Sequence, residues 1–168
     1  MAAHEESPRH LDPSSVDRWR NACPVRAEHK SVFPTVLWLW QPDAAAWVWG
    51  VLKAAGGNMQ AEELIQHLAR LRGLSRRQAT GLRNRGLTVL EAFGLIEVER
   101  LSTVRGGRET SVYGDVRIVR DKVDKKDARR RKQQAEDDMW IDVLRQALTS
   151  TEDPSRHSGS ERGKHGRR

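Results

Sequence analysis

The sequence predicts a mainly α fold with a small β hairpin: a three-helix bundle closed by the hairpin and followed by a C-terminal helix. Three observations carry this expectation. Apolar residues recur at helical spacing from Ala44 to Ala55, from Ala61 to Leu71 and again from Ser75 to Phe93. Gly73-Leu74-Ser75 separates the second of these stretches from the third, supplying a stop signal and then a cap within three residues. Two alternating runs, Ile96–Leu101 and Val112–Val119, flank a Gly106-Gly107 pair suited to a tight turn.

Size and composition bound what such a chain can do. Its 168 residues leave room for one ordinary domain with extensions. Charged residues are 32% and apolar ones 37%, and the apolar ones gather between Val32 and Ile118 and again between Met139 and Leu148. A formal charge of +7 favours a polyanionic partner. Cys23 is the only cysteine, so no intrachain disulfide can form and a reducing compartment is expected. Met1 to Pro8 lacks the apolar segment of a secretory signal, and no run of about 18 apolar residues could cross a bilayer. The expectation is a cytoplasmic protein without a membrane partner.

The first thirty residues are polar and carry Pro8, Pro13 and Pro24. So few apolar groups cannot offset ordering entropy, which predicts a disordered arm over 1–30, apart from a possible helical turn at Ser14–Asn21. The domain proper is expected over 31–120. Its lead-in holds Phe33, Trp38, Trp40, Trp47 and Trp49, and Asp43 follows Pro42 as a candidate N-cap. Ala44, Trp47, Val48, Val51, Leu52 and Ala55 form one apolar stripe, which places Trp47 in the core and leaves Trp38, Trp40 and Trp49 off it. Those three either pack an N-terminal arm onto the domain or meet a second subunit. Gly56-Gly57 ends the helix.

In the second helix Leu64, Ile65, Leu68 and Leu71 face inward, and Glu62 and Glu63 sit near its positive end. His67 reads as a surface or boundary residue. Ser75 caps the third helix, whose inward set is Ala79, Leu82, Gly86, Val89, Leu90 and Phe93. The opposite face carries Arg77, Gly81, Asn84 and Thr88, with Thr80 and Arg85 beside them. From Arg76 to Arg85 this helix has four arginines and no acid, whereas a merely solvated face more often mixes Glu with Lys. Arginine matches guanine and asparagine matches adenine in the major groove, and a glycine there would let the backbone approach a duplex. Ser75, Arg76, Arg77, Gln78, Thr80, Gly81, Asn84, Arg85 and Thr88 are therefore the candidate base- and phosphate-contacting residues. Two glycines inside one helix also predict a break or kink near Arg85-Gly86.

At the hairpin tip, Arg105, Gly106, Gly107 and Arg108 are candidates for minor-groove or phosphate contact. A simple two-residue loop pairs Leu101 with Val112 but sets Ile96 opposite Arg117, so the register calls for a bulge near Val98 to Arg100 or a loop with an odd residue count. Residues 121–149 form a highly charged helix with an apolar end: Met139, Trp140, Val143, Leu144, Ala147 and Leu148. A stripe of three turns is not stable alone, and the charged spacer carries it away from the hairpin, which favours pairing with a second copy. Arg129-Arg130-Arg131-Lys132 either adds phosphate contacts or forms a solvated face. Residues 150–168 read as a disordered basic tail.

Gly73-Leu74-Ser75, Leu82-Arg83 and Gly94-Leu95-Ile96-Glu97 resemble the corresponding residues of winged helix-turn-helix regulators of bacteria, the MarR-like and ArsR-like factors among them, over about Ala44 to Arg120. That resemblance implies a three-helix bundle plus wing, the third helix in the major groove, and commonly a homodimer. No nucleophile elbow, phosphate loop or paired-ligand metal site occurs, so an enzyme, a cofactor, a metal or a small-molecule substrate is not expected. The expected function is sequence-specific binding of double-stranded DNA in transcription regulation. Two alternatives use the same elements: a plasmid or phage replication-initiation or partition protein, and a protein-interaction module whose tryptophans dock a partner. Replacing Arg105 by Ala is expected to weaken all duplexes alike and to lower the salt dependence of binding by about one phosphate contact, as read from titrations over a salt series.

Overall fold

The computed structural model describes residues 10–33, 40–105 and 107–150. Its order is α1 (Pro13–Asn21), a 3-10 turn (Ala27–Val32), α2 (Pro42–Ala54), β1 (Asn58–Gln60), α3 (Ala61–Arg72), α4 (Arg76–Ala92), β2 (Ile96–Arg105), β3 (Arg108–Ile118) and α5 (Lys125–Ser150). The chain is mainly helical, with one three-stranded antiparallel sheet in the order β1-β3-β2 and a long C-terminal helix.

Residues 10–30 depart from the expected disordered arm. Asp12 caps α1 by accepting the Ser15 N–H at 3.0 Å, and Pro13 occupies the first turn, where its missing N–H is not needed. Leu11, Val16, Cys23, Val25, Val32 and Phe33 are all buried in the common core. Burial pushes the Cys23 thiol up to about 11, so it is held protonated. The sparse apolar residues of this segment are enough because they land on surfaces formed elsewhere in the chain, α1 on α2 and Phe33 against Phe93 at the end of α4. The Arg26 N–H donates to Nδ1 of the buried His29 at 3.0 Å, and His29, Phe33 and Trp40 gather around Phe93 at the end of α4 with ring centroids 5.9–6.2 Å away. Trp40 thus packs the N-terminal segment onto the domain, while Trp38 lies outside the described residues.

Helix α2 is covered on two sides, which reverses the expected roles of its tryptophans. Trp49 is fully buried, whereas Trp47 is half-buried and lies between the Arg20 and Arg72 guanidiniums at 4.2 and 5.1 Å from its centroid. The N-cap is Gln41 without a side-chain cap bond, and Asp43 falls within the first turn. Two glycines set the helix spacings. A Cβ on Gly50 would stand 2.7 Å from the Val16 carbonyl oxygen of α1, and one on Gly86 would stand 2.5 Å from both the Ala44 carbonyl oxygen and Val48 Cγ2. Gly86 therefore marks the crossing of α4 over α2, and α4 runs unbroken from Arg76 to Ala92 where a break was expected.

Gly73, at φ +61°, ends α3 in the left-handed conformation, and Leu74 turns inward against the core. His67 is buried on α3, contrary to its expected surface position; Arg70 donates to its Nδ1 at 2.9 Å, and Glu63 stands 3.5 Å from Nε2. The hairpin strands run further than the alternation predicted, and Leu101 pairs with Val112 as expected. The register shifts between Val98 and Arg100, which brings Ile96 opposite Ile118 and keeps the apolar side of the sheet against the helices. Strand β1 was not anticipated; it adds Met59 to the core opposite Val116.

Two substitutions of one kind should move stability in opposite directions. Gly81→Ala meets only Arg85, at 3.7 Å, and should stabilise by up to about 1 kcal/mol through helix propensity. Gly86→Ala should lose about 1–3 kcal/mol to overpacking against α2 backbone. Urea unfolding of both variants reads the difference. Burial chiefly lowers the His67 pKa below its ordinary 6.5, so the unfolded chain takes up its proton first. That stability is present above pH 6.5 and declines as pH falls below it; thermal unfolding from pH 7 to 5 should show the decline, and His67→Gln should reduce it.

Candidate nucleic-acid interface

The turn Gly73-Leu74-Ser75 aims the start of α4 away from the bundle. Ser75 caps it reciprocally: Ser75 Oγ accepts the Gln78 N–H at 3.3 Å, and Gln78 Oε1 accepts the Ser75 N–H at 3.0 Å. Ser75 and Gln78 are exposed but serve the helix end, with Gln78 retaining only its amide N–H groups for an outside partner. Arg76 is exposed and ion-paired with Glu62 at 2.7 Å. Arg77 is exposed and makes no side-chain hydrogen bond or ion pair with any described residue.

Further along the same face the residues become half-buried. Thr80 and Thr88 each donate their hydroxyl proton back to the helix, to the carbonyl oxygens of Arg76 and Asn84, both at 2.8 Å. Gly81 does not expose bare backbone, because the Arg85 guanidinium leans along the helix over it. Arg85 Nε is buried without an acceptor among the described residues. Asn84 is also engaged: its Oδ1 accepts from Arg83 Nε at 3.0 Å and from a terminal Arg83 nitrogen at 2.8 Å. Of the expected contact residues, the structure groups Arg76, Arg77, Gln78, Gly81, Asn84 and Arg85 on one outward strip, and it ties both threonines into the helix.

Arg83 was not among the expected contact residues, yet it organises the strip. Its other terminal nitrogen donates to the Ala61 carbonyl at 3.2 Å, and its guanidinium lies 5.1 Å from the Tyr113 ring on β3. Burial lowers its pKa, against the opposing pull of Tyr113 and Glu62. Arg100 also approaches the Tyr113 ring, to 5.8 Å, and pairs with Glu91 through two bonds of 2.7 and 2.8 Å. Glu91 holds the Arg100 pKa above its ordinary value. Leu87, Thr88, Glu91, Ala92, Val98, Arg100 and Tyr113 enclose a cleft of about 260 Å³ between α4 and the hairpin. The hairpin is thereby fixed beside the outward strip. A lone tyrosine in a strand one residue before a glycine was the available sequence signal.

At the tip, Arg105 pairs with Arg108 through the backbone and Gly107 adopts φ +76°. Gly106 and the side chains of Arg105 and Arg108 lie outside the described residues.

The basic run of α5 sits elsewhere. Asp127 accepts from Arg120, Arg130 and Arg131 at 2.9, 2.6 and 3.1 Å, and Arg131, then Arg130, hold its carboxyl down at about 2. Arg131 lies against Gly94, just past the C-terminal end of α4. Arg131 therefore anchors α5 at the end of α4 remote from Arg77, whereas Arg130, its side chain 81% exposed, pairs with Asp127 within its own helix. Met139, Trp140, Ile141, Val143, Leu144 and Leu148 remain exposed, between 40% and 71%.

Among the described residues no helix is long and apolar enough to cross a membrane. Compared with known proteins, the chain finds no match among family models, curated proteins or solved structures.

Proposed function

We propose that this chain is a winged-helix protein that binds double-stranded DNA sequence-specifically, with α4 entering the major groove and the β2–β3 hairpin acting as the wing. The order α2-β1-α3-α4-β2-β3 and the sheet order β1-β3-β2 support this reading, since they set a capped basic helix beside a hairpin. The observation that carries it is the outward strip of α4, acid-free from Arg76 to Leu90, with Arg77 exposed and bonded to no side chain among the described residues. A helix N-terminus adds its own positive end to those cations. Transcription regulation is the role such a reader most directly performs. No enzymatic step is proposed, and the reading needs no cofactor or metal.

The same reading extends to a homodimer joined through α5. Met139, Trp140, Val143, Leu144 and Leu148 on its last turns are between 40% and 71% exposed, an apolar stripe that a second copy would cover. Antiparallel pairing fits best, because parallel helices would set Arg129–Lys132 against the same run of the partner.

Binding to a random duplex pool at a series of salt concentrations tests the DNA reading. Affinity should fall steeply as salt rises, and Arg77→Ala should lose about 1–3 kcal/mol of discrimination at one position. A complex indifferent to salt would remove the reading. For the dimer, equilibrium sedimentation should give a two-chain species that Leu144→Glu converts to monomer with its helical content intact. A wild-type chain that stays monomeric at every concentration refutes the pairing.

A further inference from the structure

We infer that Asn84 reads a base edge made of hydrogen-bond acceptors, guanine foremost, and rejects the adenine that an asparagine ordinarily selects; this rests on the DNA-binding reading above. Selecting adenine takes both ends of a carboxamide: the oxygen accepts from N6 while the nitrogen donates to N7. Here the oxygen is spent. Arg83 Nε–H and a terminal Arg83 N–H both donate to Asn84 Oδ1, at 3.0 and 2.8 Å, which uses its two lone pairs. The assignment of oxygen to that position follows from chemistry, because arginine has only donors and the amide nitrogen could not face it.

Arg83 is not free to release the amide when a duplex arrives. Its remaining terminal nitrogen is bonded to the Ala61 carbonyl at 3.2 Å, and its plane stands over Tyr113 at 5.1 Å, so moving it would break a bond to α3 and a contact to β3 together. Asn84 is left with two N–H donors and no acceptor. Guanine offers two acceptors, O6 and N7, on its major-groove edge, and thymine offers one, O4. Adenine offers N7 alone and would leave its N6–H₂ group facing the Asn84 N–H₂ group, donor against donor. Cytosine presents only a donor. Arg83 is thus a positioning residue that sets what Asn84 can recognise, and with Arg77 it biases the α4 strip toward guanine.

The experiment is selection of bound duplexes from a random pool with the full chain, run in parallel for wild type and three variants. The position read by Asn84 is the one whose preference disappears in Asn84→Ala. At that position the wild type should enrich guanine about tenfold over adenine, with thymine ranked second. Arg83→Met frees Oδ1 and should move the preference to adenine. Should that variant fail to fold, Asn84→Asp keeps Arg83 in place while replacing the donors by an acceptor, and should move the preference to cytosine. Adenine enriched by the wild type, or a preference unchanged in both Arg83→Met and Asn84→Asp, overturns the inference. A chain that binds no duplex at any salt concentration overturns the DNA reading itself.

Discussion

Everything about the presentation of α4 depends on its crossing with α2. At Gly86 the two backbones come so close that a single methyl group would meet the Ala44 carbonyl and the Val48 side chain. Helix pairs normally keep their axes 8–10 Å apart because side chains stand between them. Removing one at the crossing tightens the pair and fixes the rotation of α4 about its own axis. Val89, Leu90 and Ala79 are then fully buried, and Arg77, half a turn round, has nowhere to go but outward. The mean helix-propensity cost of that glycine is about 1 kcal/mol; what it secures is the direction of a row of cations.

The inner face of α4 could be read from the sequence because burial there is one-sided and periodic. Helix α2 misled for the complementary reason. A single stripe is the signature of a helix covered once, and α2 is covered twice, by α4 on one flank and by α1 on the other. Trp49 is buried off the stripe, while Trp47, on the stripe, stops at the rim between two arginines. The N-terminal segment was illegible on the same account. Leu11, Val16, Cys23, Val25 and Val32 are too sparse to form a local pattern, and they are held by a partner surface that lies elsewhere in the chain. In the hairpin, by contrast, sidedness alone demanded an irregularity, and the shift between Val98 and Arg100 lies where the mismatch of Ile96 with Arg117 required it.

The candidate site was legible in direction and illegible in occupancy. A helical projection locates Arg77, Gly81, Asn84 and Thr88 on one face, and the structure keeps them there. It says nothing about which polar atoms are already bonded. The Thr88 proton goes to a carbonyl one turn back, the Asn84 oxygen goes to its immediate neighbour, and the space over Gly81 goes to Arg85. Adjacent residues on a helix point about 100° apart, so an Arg83–Asn84 bond runs against the spacing rules that govern helix pairs. It forms because Arg83 is drawn sideways by Ala61 and Tyr113, neither of which is near it in sequence.

Net charge turns out to be a poor guide to where a polyanion would meet this chain. Several of the cations counted in the formal +7 are already matched by acids. Three arginines converge on Asp127, Arg100 is matched by Glu91, Arg117 by Glu97 and Lys53 by Asp121. The two ends of α4, about 25 Å apart, illustrate the difference. At the C-terminal end Arg131 lies on Gly94, next to the negative end of the helix, with its charge already shared with Asp127. At the N-terminal end the helix itself is positive, and among the described residues Arg76 pairs with an acid while Arg77 does not. A phosphate arriving at the first end would compete with a carboxylate held ionised down to about pH 2, whereas at the second it would meet a guanidinium that no described residue engages and a helix end of the same sign. The position of the uncompensated charge, set by the Gly86 crossing and the Ser75 cap, is what singles out one end of one helix.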